Sequence, residues 1–387
     1  MNIPNHVICE IFLNFFKIFN IFFHYFSTKL IKMQPSPLSL CRISKFVHIS
    51  LRSYRLGRRV TPAGYYVSPS WFDQRISSQF EPDSKVPRLV GLEGTIKYKN
   101  QLFDEEKHRQ QSLITRFEKI EVNLEKPFPD GEDFVLMMNA NLSTPYECAI
   151  HIHQNLKQRS ALALVNGNEY WDIHRPLEQS CKLTLLHFKH EDCMPVNYAF
   201  WRSCSMLLAS VIPKAFHDEY QVQIISKPMA DLSGGSFICD VEVENLSDWK
   251  PTSEEIRSIT SLIWDETPKA HRYDRLQVSG KMAAKLFADN SHRLSELEKS
   301  LKQDANRQFT IYRCGQHIEL SDGPMIGDTS QIGSIFLSAI HPLKGKNGSR
   351  FYRFQGIAMP KQLNINPFAY SLIRDRSKHL NSYGLDH

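Results

Sequence analysis

Between Asp133 and Phe188 the chain changes its apolar rhythm several times in quick succession, and that pattern limits the folds open to it. Asp133 to Asn139 (DFVLMMN) is strand-like. Ser143-Thr144-Pro145 then opens a helix. A hydroxyl at the N-cap accepts a free amide of the first turn, and proline fits the first helical positions because its missing amide is not needed there. The helix is expected to run to about Leu156. Leu162 to Val165 is a second apolar strand, closed by the turn signal Asn166-Gly167-Asn168. Trp171 to Pro176 reads as a connecting loop, and Cys181 to Phe188 as a third strand. Strand, helix, strand, loop and strand in one stretch predict a small α+β half-barrel starting near Phe117.

Downstream the pattern stays mixed. Residues 191 to 216 read as a long helix, Tyr220 to Ile225 as a strand, and Phe237 to Val243 as an alternating strand after Ser233-Gly234-Gly235. Thr252 or Ser253 can cap a helix over Glu254 to Asp265, whose first-turn acids suit the helix dipole. Further helices are expected over Ser279 to Ala288 and His292 to Asp304, with strands at Phe309 to Arg313, Ile335 to Ile340 and Phe351 to Ile357. Upstream, residues 99 to 114 form a polar helix whose few apolar positions predict a place on the surface or against a partner. Residues 61 to 92, with Pro62, Pro69, Pro82 and Pro87, read as extended. No internal repeat is evident. The fold class expected for the whole chain is α+β.

Charge divides the 387 residues in two. The chain carries 47 Lys and Arg against 41 Asp and Glu, a formal charge of +6. Nine of those cations and only one acid, Glu10, fall in residues 1 to 60, leaving 38 cations against 40 acids. The body is therefore nearly neutral, which excludes a globally basic nucleic-acid binder and leaves only local patches. No Asp or Glu occurs from residue 11 to residue 72, and Met33 to Val60 is rich in Ser and Arg. That is the composition of a mitochondrial transit peptide; a basic arm that binds RNA is the competing reading. Residues 8 to 26 are apolar but broken by Glu10, Asn14, Lys17 and Asn20, which disfavours a membrane-spanning helix. No membrane insertion of the mature protein is expected. Met33 is an alternative start, which would make residues 1 to 32 an upstream extension.

Neither cofactor chemistry nor metal chemistry is suggested. The eight cysteines are scattered singly, with no Cys-x-x-Cys pair, as befits buried thiols in a reducing compartment. His151 and His153 lie two apart on one helix and so face apart, while His187-x-x-His190 with Cys193 lacks a fourth ligand. Lys344-Gly345-Lys346-Asn347-Gly348 is not a phosphate loop and is expected to join two strands.

Two distant segments carry the strongest signal. They are Phe200-Trp201-Arg202-Ser203-Cys204-Ser205-Met206 and Ile318-Glu319-Leu320-Ser321-Asp322-Gly323-Pro324-Met325. Both resemble the editing domain shared by threonyl- and alanyl-tRNA synthetases, in which the first segment carries His-x-x-x-His and the second a Cys with a His four residues later. The working positions here read Arg202, Met206, Ser321 and Met325. Ahead of them, Met138-Asn139, Ser143-Thr144-Pro145-Tyr146, Leu162 to Gly167, Trp171-Asp172 and Pro176-Leu177 resemble the TGS module of threonyl-tRNA synthetases. A presequence, a TGS module and a degenerate editing fold together resemble the mitochondrial large-ribosomal-subunit protein thirty-nine family. Local stretches such as Trp201 to Cys204, Lys214 to Phe216 and Arg353 to Gly356 are similar to its members.

The resemblance implies a targeting segment over 1–60, a linker and surface helix over 61–119, a β-grasp-like TGS domain over 120–188, an editing-like domain over 189–360 and a tail over 361–387. It implies a non-catalytic ribosomal constituent in the mitochondrial matrix, with large-subunit proteins and rRNA as partners and no small-molecule substrate. Arginine does not serve as a base and methionine exchanges no proton, so no catalytic residue and no metal are expected at the four positions. Candidate RNA contacts are Lys344, Lys346, Arg350, Tyr352 and Arg353 in the basic-aromatic hairpin, and Arg374, Arg376 and Lys378 near the carboxy terminus. For the hairpin, aromatics turned into the core are an equal expectation. A soluble mitochondrial RNA-binding regulator and an aminoacyl-tRNA deacylase are the alternatives. Segments 61–98 and 361–387 are expected to be extended and to order on binding neighbours.

Overall fold

A computed structural model describes residues 91–128, 131–217, 219–226, 234–246, 249–345 and 348–385. The expected presequence, the stretch 61–90 and Lys346 lie outside the described residues. The described part is α+β, as expected.

The first module is a five-stranded sheet. Its strands are β1 (Lys119–Leu124), β2 (Phe134–Asn139), β3 (Leu162–Val165), β4 (Glu169–Asp172) and β5 (Cys181–Leu186), in the order β2-β1-β5-β3-β4. Only β1 and β5 run parallel. Alternation along β1 turns Ile120, Val122 and Leu124 inward, where they meet Cys148 and Leu156 from the helices that cover this face. The first covering helix, Pro145–Ile152, is short, and its start is closed by a capping box: the Thr144 hydroxyl accepts the Glu147 amide, and Glu147 accepts the Thr144 amide at 3.1 Å.

Numbered in chain order, the helices are α1 (Gly91–Ser112), α2 (Pro145–Ile152), α3 (Gln154–Arg159), α4 (Met194–Ala215), α5 (Ser253–Glu266), α6 (Gly280–Leu286), α7 (Ser291–Gln303) and α8 (Pro367–Arg376). The single helix expected to reach Leu156 is two. His153 takes an extended backbone, ends α2, and caps α3 by accepting the Asn155 amide on Nδ1 at 3.0 Å. The expected loop at Trp171 begins as a strand, because Asn166 and Gly167 both adopt positive φ, the tight hairpin geometry that pairs β3 with β4.

The second module wraps α4, most of which is buried. On it lies an antiparallel sheet, β11-β12-β7-β6, made of β6 (Val222–Ile224), β7 (Phe237–Val243), β11 (Ile332–Lys344) and β12 (Arg350–Pro360). A second sheet, β10-β9-β8, contains β8 (Tyr273–Ser279), β9 (Gln308–Cys314) and β10 (His317–Leu320). Ala161, Leu162, Leu186 and Phe188 of the first module share one apolar core with α4 and the four-stranded sheet.

Two expectations about the flanks are corrected. The helix placed at 99–114 begins at Gly91, so residues 91–98 are not extended, and the helix is no mere surface element. Phe103 is fully buried against Leu276, Ile311 and Ile318, a burial that stabilises by about 1.5–3 kcal/mol. Asn100 and Gln110 donate to the Gln316 and Gln277 carbonyls, each at 2.7 Å. The tail 361–387 is not an extended wrapping segment either: it contains α8 and then folds back onto β12. Gln355 Nε2 donates to the carbonyls of Ser377 and His379, and Arg353 Nη1 to those of Asn381 and Tyr383.

Candidate functional site

The fold brings the segment that carries Arg202 and Met206 beside the one that carries Ser321 and Met325. Arg202 and Met206 lie one turn apart on α4, while Ser321 and Met325 flank a turn after β10. That turn depends on Gly323, whose φ is +54° and whose Cβ, if present, would collide with the Tyr312 hydroxyl. The Gly323-Pro324 peptide bond is cis. Arg202 Nη1 donates to the Pro324 carbonyl at 2.7 Å and ties the helix to the turn.

Packing fills the space between them. Met206 and Met325 are fully buried in the same apolar cluster. Ser203 Oγ donates to the Ala199 carbonyl, accepts the Ile326 amide at 3.0 Å, and lies 3.5 Å from Met325 Sδ. The buried Ser321 hydroxyl accepts only the nearby Gly323 amide, at 3.3 Å.

The polar centre of the site comes from the first module. Asp172, at the end of β4, reaches across with a buried carboxylate. Tyr312 OH donates to both its oxygens, at 3.0 and 2.9 Å, and the Met325 amide donates to Oδ1 at 2.8 Å. Arg275 Nε stands 3.8 Å from Oδ2. Burial raises the Asp172 carboxyl above its ordinary range, opposed by these donors and by the nearby arginines. Burial likewise holds the Tyr312 phenol well above its usual value and lowers the Arg202 guanidinium, which Tyr312, Asp172 and Asp322 partly restore. The result is an interlock between modules: its donors and acceptors are spent on one another. Sequence reasoning noted Trp171-Asp172 only as part of a motif; nothing local marks this aspartate as buried.

The remaining candidates scatter. Among the described residues no group of three or more His, Cys, Asp or Glu side chains is placed to hold a metal ion. The His187 and His190 rings meet edge to face at 5.8 Å, and Cys193 Sγ accepts from Asn197 at 3.5 Å. A cavity of about 90 Å³ lies elsewhere, between α1, α4 and β10, and none of the four editing positions lines it.

Of the RNA-contact candidates, Lys344, Arg350, Arg374, Arg376 and Lys378 are exposed. Arg353 and Tyr352 are corrected, because β12 is an inner strand covered on both sides by β11 and β7. Arg353 is buried, and its Nε and Nη2 grip the Asp240 carboxylate at 2.7 Å each. Tyr352 is buried against Trp249, with ring centroids 5.0 Å apart.

A TGS-like sheet module joined through Asp172 to a second α+β module defines a class: a two-module fold similar to part of a threonyl-tRNA synthetase. The comparisons agree with this. The TGS domain model matches residues 128–187. The "Large ribosomal subunit protein mL39" of Drosophila melanogaster is 38% identical over 312 residues, 80% of this chain and 91% of the fly protein. The cytoplasmic threonine–tRNA ligase 2 of Bos taurus is 29% identical over 278 residues, 70% of this chain but 35% of the ligase. The human cytoplasmic threonine–tRNA ligase 1 is 25% identical over 265 residues, 64% of this chain and 32% of the ligase. The match thus spans about a third of each ligase. The chain belongs to the mL39 family of large-ribosomal-subunit proteins.

Proposed function

We propose that this chain is a non-catalytic structural constituent of the mitochondrial large ribosomal subunit, held in the matrix by protein neighbours and limited rRNA contact. The observation that carries the reading is the match along 91% of the fly mL39 protein. The buried methionines support it: Met206 and Met325 are both fully shielded from solvent, as apolar side chains packed into a core are. The acid-free segment 11–72 supplies the mitochondrial address. Lys344, Arg350, Arg374, Arg376 and Lys378 are exposed cations, the charge that a limited rRNA contact calls for.

Sedimentation of a mitochondrial lysate on a sucrose gradient tests the reading. Co-migration with the large subunit through moderately high salt is the expected result. Recovery only at the top of the gradient overturns it and points to a free RNA-binding protein; deacylation of mischarged tRNA by the purified chain overturns its non-catalytic part.

A further inference from the structure

Helix α8 is held firmly yet buries none of its own residues. A ten-residue helix is marginal in water by itself, since isolated helices need roughly 12–15 residues to persist. Here both flanks are anchored. Upstream, the Lys361 amide donates to the Gln331 carbonyl and Gln362 Nε2 to the Arg159 carbonyl, each at 2.8 Å, and the Asn366 side chain caps the first turn. Downstream, Gln355 and Arg353 hold the Ser377, His379, Asn381 and Tyr383 carbonyls.

What these anchors display is apolar. Phe368 is 72% exposed and Leu372, one turn on, 55% exposed. Two residues from Phe368, and so on the opposite side of the helix, Tyr370 packs toward the body: its ring lies 5.9 Å from Phe336, which meets Trp264, 46% exposed, edge to face at 5.2 Å. The water-shielded Tyr370 hydroxyl has no hydrogen-bond partner among the described residues. Phe and Leu at i and i+4 are the anchors by which a helix enters an apolar groove. Charge is confined to one end, where Arg374, Arg376 and Lys378 outnumber Asp375. Leucine does not stack on bases, and Arg374 lies over the Phe336 ring while Lys378 pairs with Asp375 at 2.8 Å. The surface therefore suits a protein better than an RNA strand.

We propose that α8 is a docking helix, inserting Phe368 and Leu372 into an apolar groove of a neighbouring large-subunit protein whose rim is acidic beside the helix's carboxy-terminal end. The proposal rests on the ribosomal reading above and adds the contact and the chemistry of its partner.

The test replaces the resident protein in mitochondria with the full wild-type chain, with F368D/L372D, or with R376E/K378E. Purified variants are first melted to establish an unchanged Tm, as expected for exposed positions. Wild type at the top of the gradient would sink the ribosomal reading itself. With wild type bound, F368D/L372D is expected to lose about tenfold or more of its large-subunit fraction, as hot-spot anchors do. Equal retention of this variant and wild type overturns the docking helix while leaving the ribosomal reading intact. A photo-crosslinker at position 372 in the assembled subunit is expected to give an adduct removed by protease and resistant to nuclease. A nuclease-sensitive adduct assigns the surface to RNA and overturns the proposal, and so does R376E/K378E retained as fully as wild type, since an acidic rim would repel the new carboxylates.

Discussion

Replacing Arg353 separates an architectural role from an RNA-binding one. Its guanidinium makes two 2.7 Å bonds to Asp240 and two more to the carbonyls of Asn381 and Tyr383, all below the surface. In Arg353→Met the Asp240 carboxylate loses its counterion while largely shielded from water, and removing one partner of a buried pair costs about 3–5 kcal/mol. The two carbonyls lose charged donors as well, and the segment they anchor is freed. The expected destabilisation is therefore about 4 kcal/mol, at the middle of that range. Guanidinium denaturation of the purified chain, followed by tryptophan fluorescence, measures it as a fall in midpoint. The double variant Arg353→Met, Asp240→Leu removes both charges and is expected to recover much of the loss, because two matched apolar groups leave no ion stranded. A midpoint shift in Arg353→Met worth less than about 1 kcal/mol would refute the reasoning, and so would a double variant no better than the single one.

Three other perturbations follow from the same geometry. Asp172→Ala strands the Tyr312 hydroxyl and the Met325 amide and is expected to cost about 2–5 kcal/mol, whereas Asp172→Asn keeps acceptors for both and is expected to cost much less. Because burial raises the folded-state carboxyl, the native state binds its proton more readily than the unfolded chain. This group's contribution is therefore greatest in acid and falls as pH rises from the unfolded value through the folded one; a pH series of melts should lose that component in Asp172→Asn. Restoring His at 202, 206 and 325 with Cys at 321 is expected to yield no deacylation of mischarged tRNA and a lower Tm, since imidazoles would enter an apolar cluster; measurable turnover would show that the pocket is open. Phe103→Ala is expected to cost about 3–5 kcal/mol in equilibrium unfolding, and a neutral result would mean that α1 is not part of the core.

What could be read in advance follows from how local the signal is. The hydroxyl cap before Pro145, the turn at Asn166-Gly167 and the Thr252 cap of α5 are made by residues within a few positions of one another, and they stand as expected, whereas the strand that pairs back after the turn does not follow from them. The joining of Lys344 and Arg350 by a hairpin was legible for the same reason. By contrast β8 and β10 were missed, because their pairing with β9 decides them more than their own composition does. Arg353 and Tyr352 look like a basic-aromatic surface until β7 is known to cover the strand that carries them. Asp172 and Tyr312 are 140 residues apart in sequence, and no spacing rule joins a short strand of one module to the floor of another.

The anchoring of residues 377–383 on β12 also has a consequence in time. A chain that is made, or threaded through a membrane, from its amino terminus presents Asp240 and Arg353 long before Asn381 and Tyr383 arrive to accept from Arg353. Until then the side chains of Gln355 and Arg353 lack the carbonyls of Ser377, His379, Asn381 and Tyr383 that accept from them. The stretch 377–383 is thus the latch of the second module: it closes only after the strand that it latches onto has been made.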